Sequence, residues 1–193
     1  MKTKLFTMIA ALSLSMGVAA QNSVSVDASA AWEGYANWFD PASGAYVSGS
    51  VWGVADLKTT IDLAAGTITL QPNFNTYADN PSDPYWVDQT TGLGAKLFEG
   101  NTLLNDNSLA GVELTFSGNI DETTLDSEYD AIAFIKAGVD YGNLRSVTAP
   151  LTGSNFEITM APESTDVIIQ YGFAIIGLNA NPDNEAALGS VVV

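Results

Sequence analysis

The chain has 193 residues with 22 acidic and 6 basic side chains, a formal charge of −16, and it contains neither cysteine nor histidine. The absence of thiols and imidazoles excludes disulfides, thiolate metal sites, histidine-based catalytic triads and ordinary zinc sites. The negative charge disfavours nucleic acid and anionic membranes as partners, and also strongly sulfated or uronic glycans unless calcium mediates the contact.

Residues 1–20 have the pattern of a secretory signal peptide. Lys2 and Lys4 form a basic start, residues 5–18 are apolar and small, and cleavage is expected after Ala20. No other stretch is long and apolar enough to span a bilayer. The sequence therefore predicts a secreted product, extracellular or periplasmic, and the absence of cysteine argues against a lipid anchor. Loss of the two lysines leaves 4 basic residues against 22 acidic ones, a formal charge of −18.

Short segments of alternating apolar and polar residues predict β-strands in the first part of the chain. Residues 22–30 alternate in this way, and residues 32–52 predict a hairpin around the turn cluster at 40–44. Residues 57–70 predict a second hairpin, which turns at 64–66.

The second half of the chain continues this pattern of short strands separated by turns. Further strands are predicted at 97–104, 112–116, 131–137, 156–160, 166–178 and 189–193. Residues 121–130 and 138–150 are predicted to be irregular connections, and Gly172 marks a bulge or a close backbone contact. About ten short antiparallel strands without an amphipathic helix predict an all-β fold, a β-sandwich or jelly roll. We expect a single domain over residues 21–193.

The longest segment without periodicity, residues 71–96, is the main candidate for a binding surface. It combines prolines, Asx residues and glycines with several aromatic rings. Loops of this length in compact domains are usually functional or disordered, and aromatic residues argue against disorder. The alternative is that Tyr85 and Trp86 belong to a short strand and face the core.

Polysaccharide binding is the chemistry that this loop favours. Tyrosine and tryptophan offer flat apolar surfaces to the C–H faces of sugar rings, and nearby carboxylates and amides bond to the hydroxyl groups. The predicted ligand-binding residues are Tyr77, Asp83, Tyr85, Trp86, Asp88, Trp38 and Trp52. Core packing between two sheets is the alternative for Trp38 and Trp52, and Trp32 is assigned to the core.

Several segments together resemble a known family. SLAGVELTFSGNI, AIAFIKA, SNFEITM, DVIIQYGFAIIG and GSVVV resemble the second half of galactose-binding-like jelly rolls, including carbohydrate-binding modules appended to secreted bacterial polysaccharide-degrading enzymes. GYANWFDPASGAYVSGSVWGVADL and DPYW are similar to an accessory module of secreted marine bacterial glycan-degrading enzymes. The resemblance covers roughly residues 32–193 and implies the fold more than the ligand. It also implies a structural calcium ion, which such folds commonly carry.

Calcium binding and catalysis are two further possibilities. Asx clusters at 79–83, 105–107 and 181–185 offer oxygen ligands for calcium, although short Asx clusters also form turns. Glycoside hydrolysis needs two carboxylates across a cleft. The strand glutamates considered for this role are Glu33, Glu113 and Glu157. The last two occupy outward positions, where a solvated charge is the ordinary outcome.

The sequence therefore predicts a secreted, non-catalytic polysaccharide-binding protein that uses loop-borne aromatic residues. The alternative is an extracellular structural or adhesion protein that packs against other cell-surface proteins through an exposed apolar patch or sheet edge. A small glycosidase or lyase without histidine is a third hypothesis. No cofactor is predicted apart from the possible structural calcium, and no metal ligand is assigned.

Overall fold

The computed structural model describes residues 21–193, so the predicted signal peptide at residues 1–20 lies outside the described residues. The strands are β1 (Gln21–Ser25), β2 (Glu33–Phe39), β3 (Tyr46–Trp52), β4 (Thr59–Asp62), β5 (Thr67–Leu70), β6 (Leu97–Asn105), β7 (Glu113–Asn119), β8 (Glu122–Thr123), β9 (Asp130–Gly138), β10 (Arg145–Pro150), β11 (Asn155–Met160), β12 (Ile168–Leu178) and β13 (Val191–Val192). The helices are α1 (Asn75–Asp79) and α2 (Glu185–Leu188), with 3-10 turns at Asn107–Leu109 and Pro182–Asn184. No helix in the described range is long and apolar enough to cross a membrane.

The strands form three sheets. A six-stranded antiparallel sheet has the order β10-β9-β12-β6-β2-β3. A three-stranded sheet, β1-β7-β11, and a four-stranded sheet, β4-β5-β13-β8, pack against one of its faces, because side chains from all three sheets share one apolar core. The all-β prediction is therefore confirmed as a β-sandwich, and the arrangement is compatible with a jelly roll.

Aromatic rings fill the core between the six-stranded sheet and the smaller sheets. Phe116 of β7 is fully buried, and its ring centroid lies 5.0 to 5.5 Å from those of Phe156, Tyr171 and Phe173. Trp32 is 9% exposed and stacks on Phe173 at 5.6 Å, which confirms its assignment to the core. Full burial of such a side chain contributes about 1.5–3 kcal/mol, so these rings are a main source of stability.

Alternation along the central strand β12 divides the six-stranded sheet between two faces. Ile169 and Phe173 point into the core, whereas Gln170 and its alternate neighbours point the other way. Within residues 21–193 no second sheet covers that other face, which we call the open face. A small apolar cluster lies at its centre, formed by Leu103, Phe134 and Ala174.

Three elements differ from the prediction. Residues 138–150, expected to be irregular, contain β10, which pairs with β9. Nearly all β10 side chains are exposed, so the strand has no apolar alternation by which to recognise it. Residues 121–130 contain the two-residue strand β8 instead of a plain loop. β1 pairs in parallel with β7, whereas only antiparallel pairing was expected.

Gly172 is a close-contact point, as predicted. A Cβ at this position would collide with the backbone oxygen of Thr102 on the neighbouring strand β6. The glycine therefore allows the two central strands of the six-stranded sheet to approach each other.

The 71–96 loop is tied to the end of β12 by one side chain. Asn179 is 1% exposed; its Nδ2 donates to the backbone oxygen of Trp86 at 2.9 Å, and its Oδ1 accepts from the backbone N–H of Lys96 at 3.1 Å. The loop also contains α1 and an isolated β-bridge between Val87 and Gly94. The bonds of Asn179 fix the loop to the end of β12, and the bridge closes the loop on itself.

Candidate functional site

The open face of the six-stranded sheet carries a cleft of about 720 Å³, here called the sheet cleft. Strands β2, β3, β6, β9 and β12 supply most of its lining, and residues 139–144 between β9 and β10 supply the rest of one side. Its polar lining residues are Glu33, Asn37, Asn101, Asn105, Lys136 and Gln170. Its aromatic lining residues are Tyr35, Tyr46 and Tyr141. Side chains held by strands are positioned more rigidly than side chains on loops.

Lys136 is the cation of the sheet cleft, and its charge is compensated locally. Its ammonium group donates to Glu99 Oε1 at 3.1 Å and to Asn101 Oδ1 at 3.0 Å, and it lies 4.3 Å from the centre of the Phe134 ring. The side chains of Lys136 and Glu99 are 20% and 19% exposed, so this ion pair is largely shielded from solvent. Asn101 is itself buried and donates to the backbone oxygen of Tyr35.

A chain of hydrogen bonds crosses three strands beside this ion pair. Asn105 Nδ2 donates to Glu33 Oε2 at 2.8 Å, and Gln170 Nε2 donates to Asn105 Oδ1 at 2.9 Å. Gln170 is buried, whereas Glu33 is exposed at the cleft. The bonds orient one carboxylate and two amides, which are groups that accept from and donate to hydroxyl groups.

Three tyrosines converge on one part of the sheet cleft from β2, β3 and the 139–144 connection. Tyr46 and Tyr141 are 60% and 73% exposed, and Tyr35 is half-buried between them and the sheet. Burial raises the pKa of the Tyr35 hydroxyl above its ordinary value, and the neighbouring Tyr46 and Tyr141 raise it further. The rings offer the flat apolar surface, and their hydroxyls offer further hydrogen bonds.

A second depression of about 460 Å³, here called the Trp52–Trp86 groove, lies on the other side of β3. Trp52 comes from β3 and Trp86 from the 71–96 loop, so two of the predicted ligand-binding residues meet at one surface. Its polar lining residues are Asp56, Asn75, Thr76, Asp79 and Asn80. The groove thus combines indole rings with carboxylates and amides, the mixture predicted for sugar binding.

Trp38 and Tyr85 pack beside the Trp86 ring. Trp38 Nε1 donates to the Tyr85 hydroxyl oxygen at 2.9 Å, and the Trp38 and Trp86 ring centroids are 5.5 Å apart. The Tyr85 ring meets Trp86 edge-on at 4.9 Å, and the Lys96 ammonium group lies 4.2 Å from the Tyr85 ring centre. Tyr85 remains 42% exposed and Trp86 half-buried, so neither ring belongs to the core.

The other predicted residues of the loop make bonds within it. The Tyr77 hydroxyl donates to the backbone oxygen of Gly92 at 3.0 Å, and Asp83 Oδ1 accepts from the backbone N–H of Tyr85 at 2.8 Å. Asp88 Oδ1 accepts from the backbone N–H two residues further on, and this bond lowers the pKa of the carboxyl group. Tyr77, Asp83 and Asp88 line neither the sheet cleft nor the Trp52–Trp86 groove.

The sequence reasoning missed the sheet cleft. Tyr35 and Asn37 lie within the hairpin predicted at residues 32–52, but no function was predicted for either residue. A signal was present: Asn101 and Gln170 are amides inside the two central strands, and buried polar side chains are more informative than exposed ones. Tyr141 lies in a connection whose path across the sheet no periodicity reveals.

Calcium binding stays a prediction without an assigned ligand set. Across residues 21–193 no group of three or more acidic side chains is arranged to hold a metal ion. In each of the three predicted Asx clusters a side-chain oxygen caps a turn, as described above for Asp83. Asp106 Oδ1 accepts from the backbone N–H of Ser108 at 3.1 Å, and Asn181 Oδ1 accepts from that of Asp183 at 3.0 Å.

The strand glutamates considered for hydrolysis lie on different sheets. Glu33 lines the sheet cleft, whereas Glu113 and Glu157 lie on β7 and β11 of the three-stranded sheet. Glu33 therefore shares the sheet cleft with neither of the other two.

Comparison of the chain with models of protein families, with curated proteins and with solved structures finds no match. The assignment of a β-sandwich therefore rests on the three sheets described above. The resemblance to galactose-binding-like carbohydrate-binding modules stays a prediction, and the functional argument rests on the geometry of the two depressions.

Proposed function

We propose that this protein is a secreted, non-catalytic carbohydrate-binding protein that holds a polysaccharide in the sheet cleft. The observation that carries the proposal is the composition of this 720 Å³ depression, in which three tyrosine rings stand beside hydrogen-bonded carboxylate and amide groups. Concave sites with aromatic lining and a few fixed polar groups are the usual form of ligand sites in proteins. Sugar rings need both kinds of surface.

The polar groups of the sheet cleft are positioned before any ligand arrives. Asn101 and Gln170 are buried and bonded to neighbouring side chains, so little conformational entropy remains to be lost when a sugar hydroxyl binds. This preorganisation supports binding by strand-borne side chains, whereas the sequence had predicted binding by the loop alone.

The charges of the sheet cleft favour a neutral polysaccharide. Lys136 is paired with Glu99, and the Glu33 carboxylate adds a negative charge at the surface. A uronic or sulfated chain would have to approach a protein of formal charge −18 after loss of Lys2 and Lys4, without an unpaired cation among the lining residues. Neutral glucans, xylans and agaroses meet no such repulsion.

Affinity electrophoresis tests this proposal. The full chain is expressed with its leader, and the purified secreted protein is run through gels cast with laminarin, xylan, agarose, alginate or carrageenan, with and without calcium. We expect retardation in at least one neutral gel. Tyr141→Ala removes a ring that is 73% exposed and should weaken binding about tenfold without affecting the core.

Leu93→Ala is the matched control, because Leu93 is 58% exposed and lines neither depression. Retardation that is equal in the wild type, Tyr141→Ala and Leu93→Ala would remove the sheet cleft as the binding site. Unchanged migration in every gel would remove the carbohydrate proposal altogether.

A further inference from the structure

The sheet cleft and the Trp52–Trp86 groove meet at one residue. Val51 lines both depressions, and it lies on β3, the edge strand of the six-stranded sheet. Its side chain is 81% exposed, so it forms no wall between them. Because successive strand residues point to opposite faces, Val51 faces the sheet cleft and Trp52 faces the groove. The two surfaces are therefore continuous around the sheet edge.

The two depressions have matching chemistry. Each contains aromatic rings next to carboxylate and amide side chains, and the lining of the Trp52–Trp86 groove includes no lysine or arginine. The ring of Trp52 is fixed by the bond from its Nε1 to Ser50 Oγ at 2.8 Å. Trp86 is fixed by its contact with Trp38. Asp79 is exposed beside them and accessible to hydroxyl groups.

We propose that one neutral polysaccharide chain occupies both depressions at once and crosses the sheet edge at Val51. The inference rests on the proposed function and specifies its ligand: an extended chain, not a monosaccharide or a short oligosaccharide. Once a chain is held in the sheet cleft, its continuation meets the groove at high effective concentration. Two weak contacts then combine into an affinity that exceeds either one by roughly 10²- to 10⁴-fold.

Titration calorimetry with a ladder of oligosaccharides tests the inference. The probes are size-fractionated fragments of laminarin and of xylan, together with agarose fragments. Short fragments should bind weakly, two per protein molecule. Fragments long enough to reach around β3 should bind one per protein molecule, with an affinity about 100-fold higher. A long fragment that still binds two per protein molecule would overturn the proposal.

Two variants separate this inference from the proposed function. Trp86→Ala should abolish the gain in affinity with length but leave weak binding of short fragments in the sheet cleft. Tyr141→Ala should lower the affinity for long fragments about tenfold, because it weakens the contact in the sheet cleft. If Tyr141→Ala lowers the affinity for long fragments and Trp86→Ala does not, the proposed function stands and only the spanning chain fails. If neither variant changes any affinity, both proposals fail.

Asp79→Ala guards against a folding artefact. Trp86 packs on Trp38 and Tyr85, so its removal can loosen the loop, whereas Asp79 is exposed and its replacement leaves the rings in place. Asp79→Ala should also reduce the gain in affinity with length, with an unchanged melting temperature. A gain that survives both Asp79→Ala and a folded Trp86→Ala excludes the groove as the second contact.

Discussion

Tyr129 illustrates how one side chain links a loop to the six-stranded sheet. Its hydroxyl donates to the backbone oxygen of Leu178 at 2.9 Å. Its ring occupies the space where a side chain on Gly177 would lie. Burial raises the pKa of the Tyr129 hydroxyl to about 12, and the nearby carboxylates of Glu128 and Asp126 add to the effect.

The raised pKa of Tyr129 predicts a loss of stability at high pH. The unfolded chain releases this proton near pH 10.0 and the folded protein near pH 12, so between these values the unfolded state binds fewer protons and the free energy of unfolding falls as pH rises. Tyr129→Phe should cost about 0.5–1.5 kcal/mol at neutral pH, because one hydrogen bond is lost. Urea unfolding of both proteins should show this difference shrinking as pH rises from 10.0 to about 12. If the difference in the free energy of unfolding stayed constant over this pH range, the raised pKa of Tyr129 would be contradicted.

For single residues, the sequence predicted the kind of side chain that a binding site needs better than it predicted where each side chain lies. Trp32 was correctly assigned to the core, where it stacks on Phe173. Tyr85 and Trp86 were predicted to bind ligand, with a core-facing strand as the alternative. The sequence alone does not decide between the two, because their partner Trp38 lies on β2, far away along the chain. A residue's exposure depends on such distant partners, and local composition does not specify them.

The 71–96 loop is an element that depends on one buried amide. Asn179 bonds to the backbone of the loop at Trp86 and Lys96. Without this amide, the backbone N–H of Lys96 would lose its partner, whereas the Trp86 oxygen would keep only its bond from the backbone N–H of Ala95. An unsatisfied buried group costs about 1–3 kcal/mol.

Asn179→Ala should therefore loosen the loop without unfolding the sandwich. Limited proteolysis with chymotrypsin should cut the variant first within residues 71–96, under conditions in which the wild type is resistant. Binding of long oligosaccharides should weaken more than binding of short ones, because Trp86 shifts and the sheet cleft does not. Asn119→Ala, at an exposed position of β7, is the control and should match the wild type. Equal resistance of all three proteins would show that Asn179 does not hold the loop.

Elements with an apolar side were predictable, and those without one were not. The β2–β3 and β4–β5 hairpins are confirmed, since alternation and turn residues specify both. β10 was missed because its side chains are mostly exposed, and β8 is only two residues long. The 139–144 connection, which brings Tyr141 to the sheet cleft, has no apolar alternation either, so the sequence gives no periodic signal for its path.

The whole molecule carries a strong excess of negative charge. Residues 21–193 contain 4 basic and 22 acidic side chains. Repulsion among exposed carboxylates opposes the compact state, and salt screens it with a Debye length of about 10 Å at 0.1 M. Pairs such as Lys136–Glu99 are less affected because they are largely shielded from solvent.

Added salt should therefore stabilise the protein. The urea midpoint should rise between low ionic strength and about 0.1 M sodium chloride. The slope of the free energy of unfolding against urea concentration should stay unchanged. Tetramethylammonium chloride should act equally well if general screening is responsible. A rise of the urea midpoint that only calcium produces would instead indicate a specific ion site and would support the predicted structural calcium. A midpoint that falls with salt would contradict the repulsion argument.

The fold class was predictable from strand count and turn spacing, but the order of the strands was not. The pairing of β2 with β6, and of β6 with β12, joins segments more than fifty residues apart. The sheet cleft exists only because these pairings place Glu33, Asn105 and Gln170 side by side. Alternation predicts which face a residue takes, not which strand it meets.

The place of β12 in the sheet has a consequence for the time course of folding. β12 lies between two units that can form earlier along the chain, β2-β3-β6 and β9-β10. During synthesis from the N-terminus, both units have unpaired edge strands until residues 168–178 have been made. Such distant pairings slow folding, and open edges invite association with other chains. We therefore expect the insertion of β12 to be the step at which folding competes with aggregation.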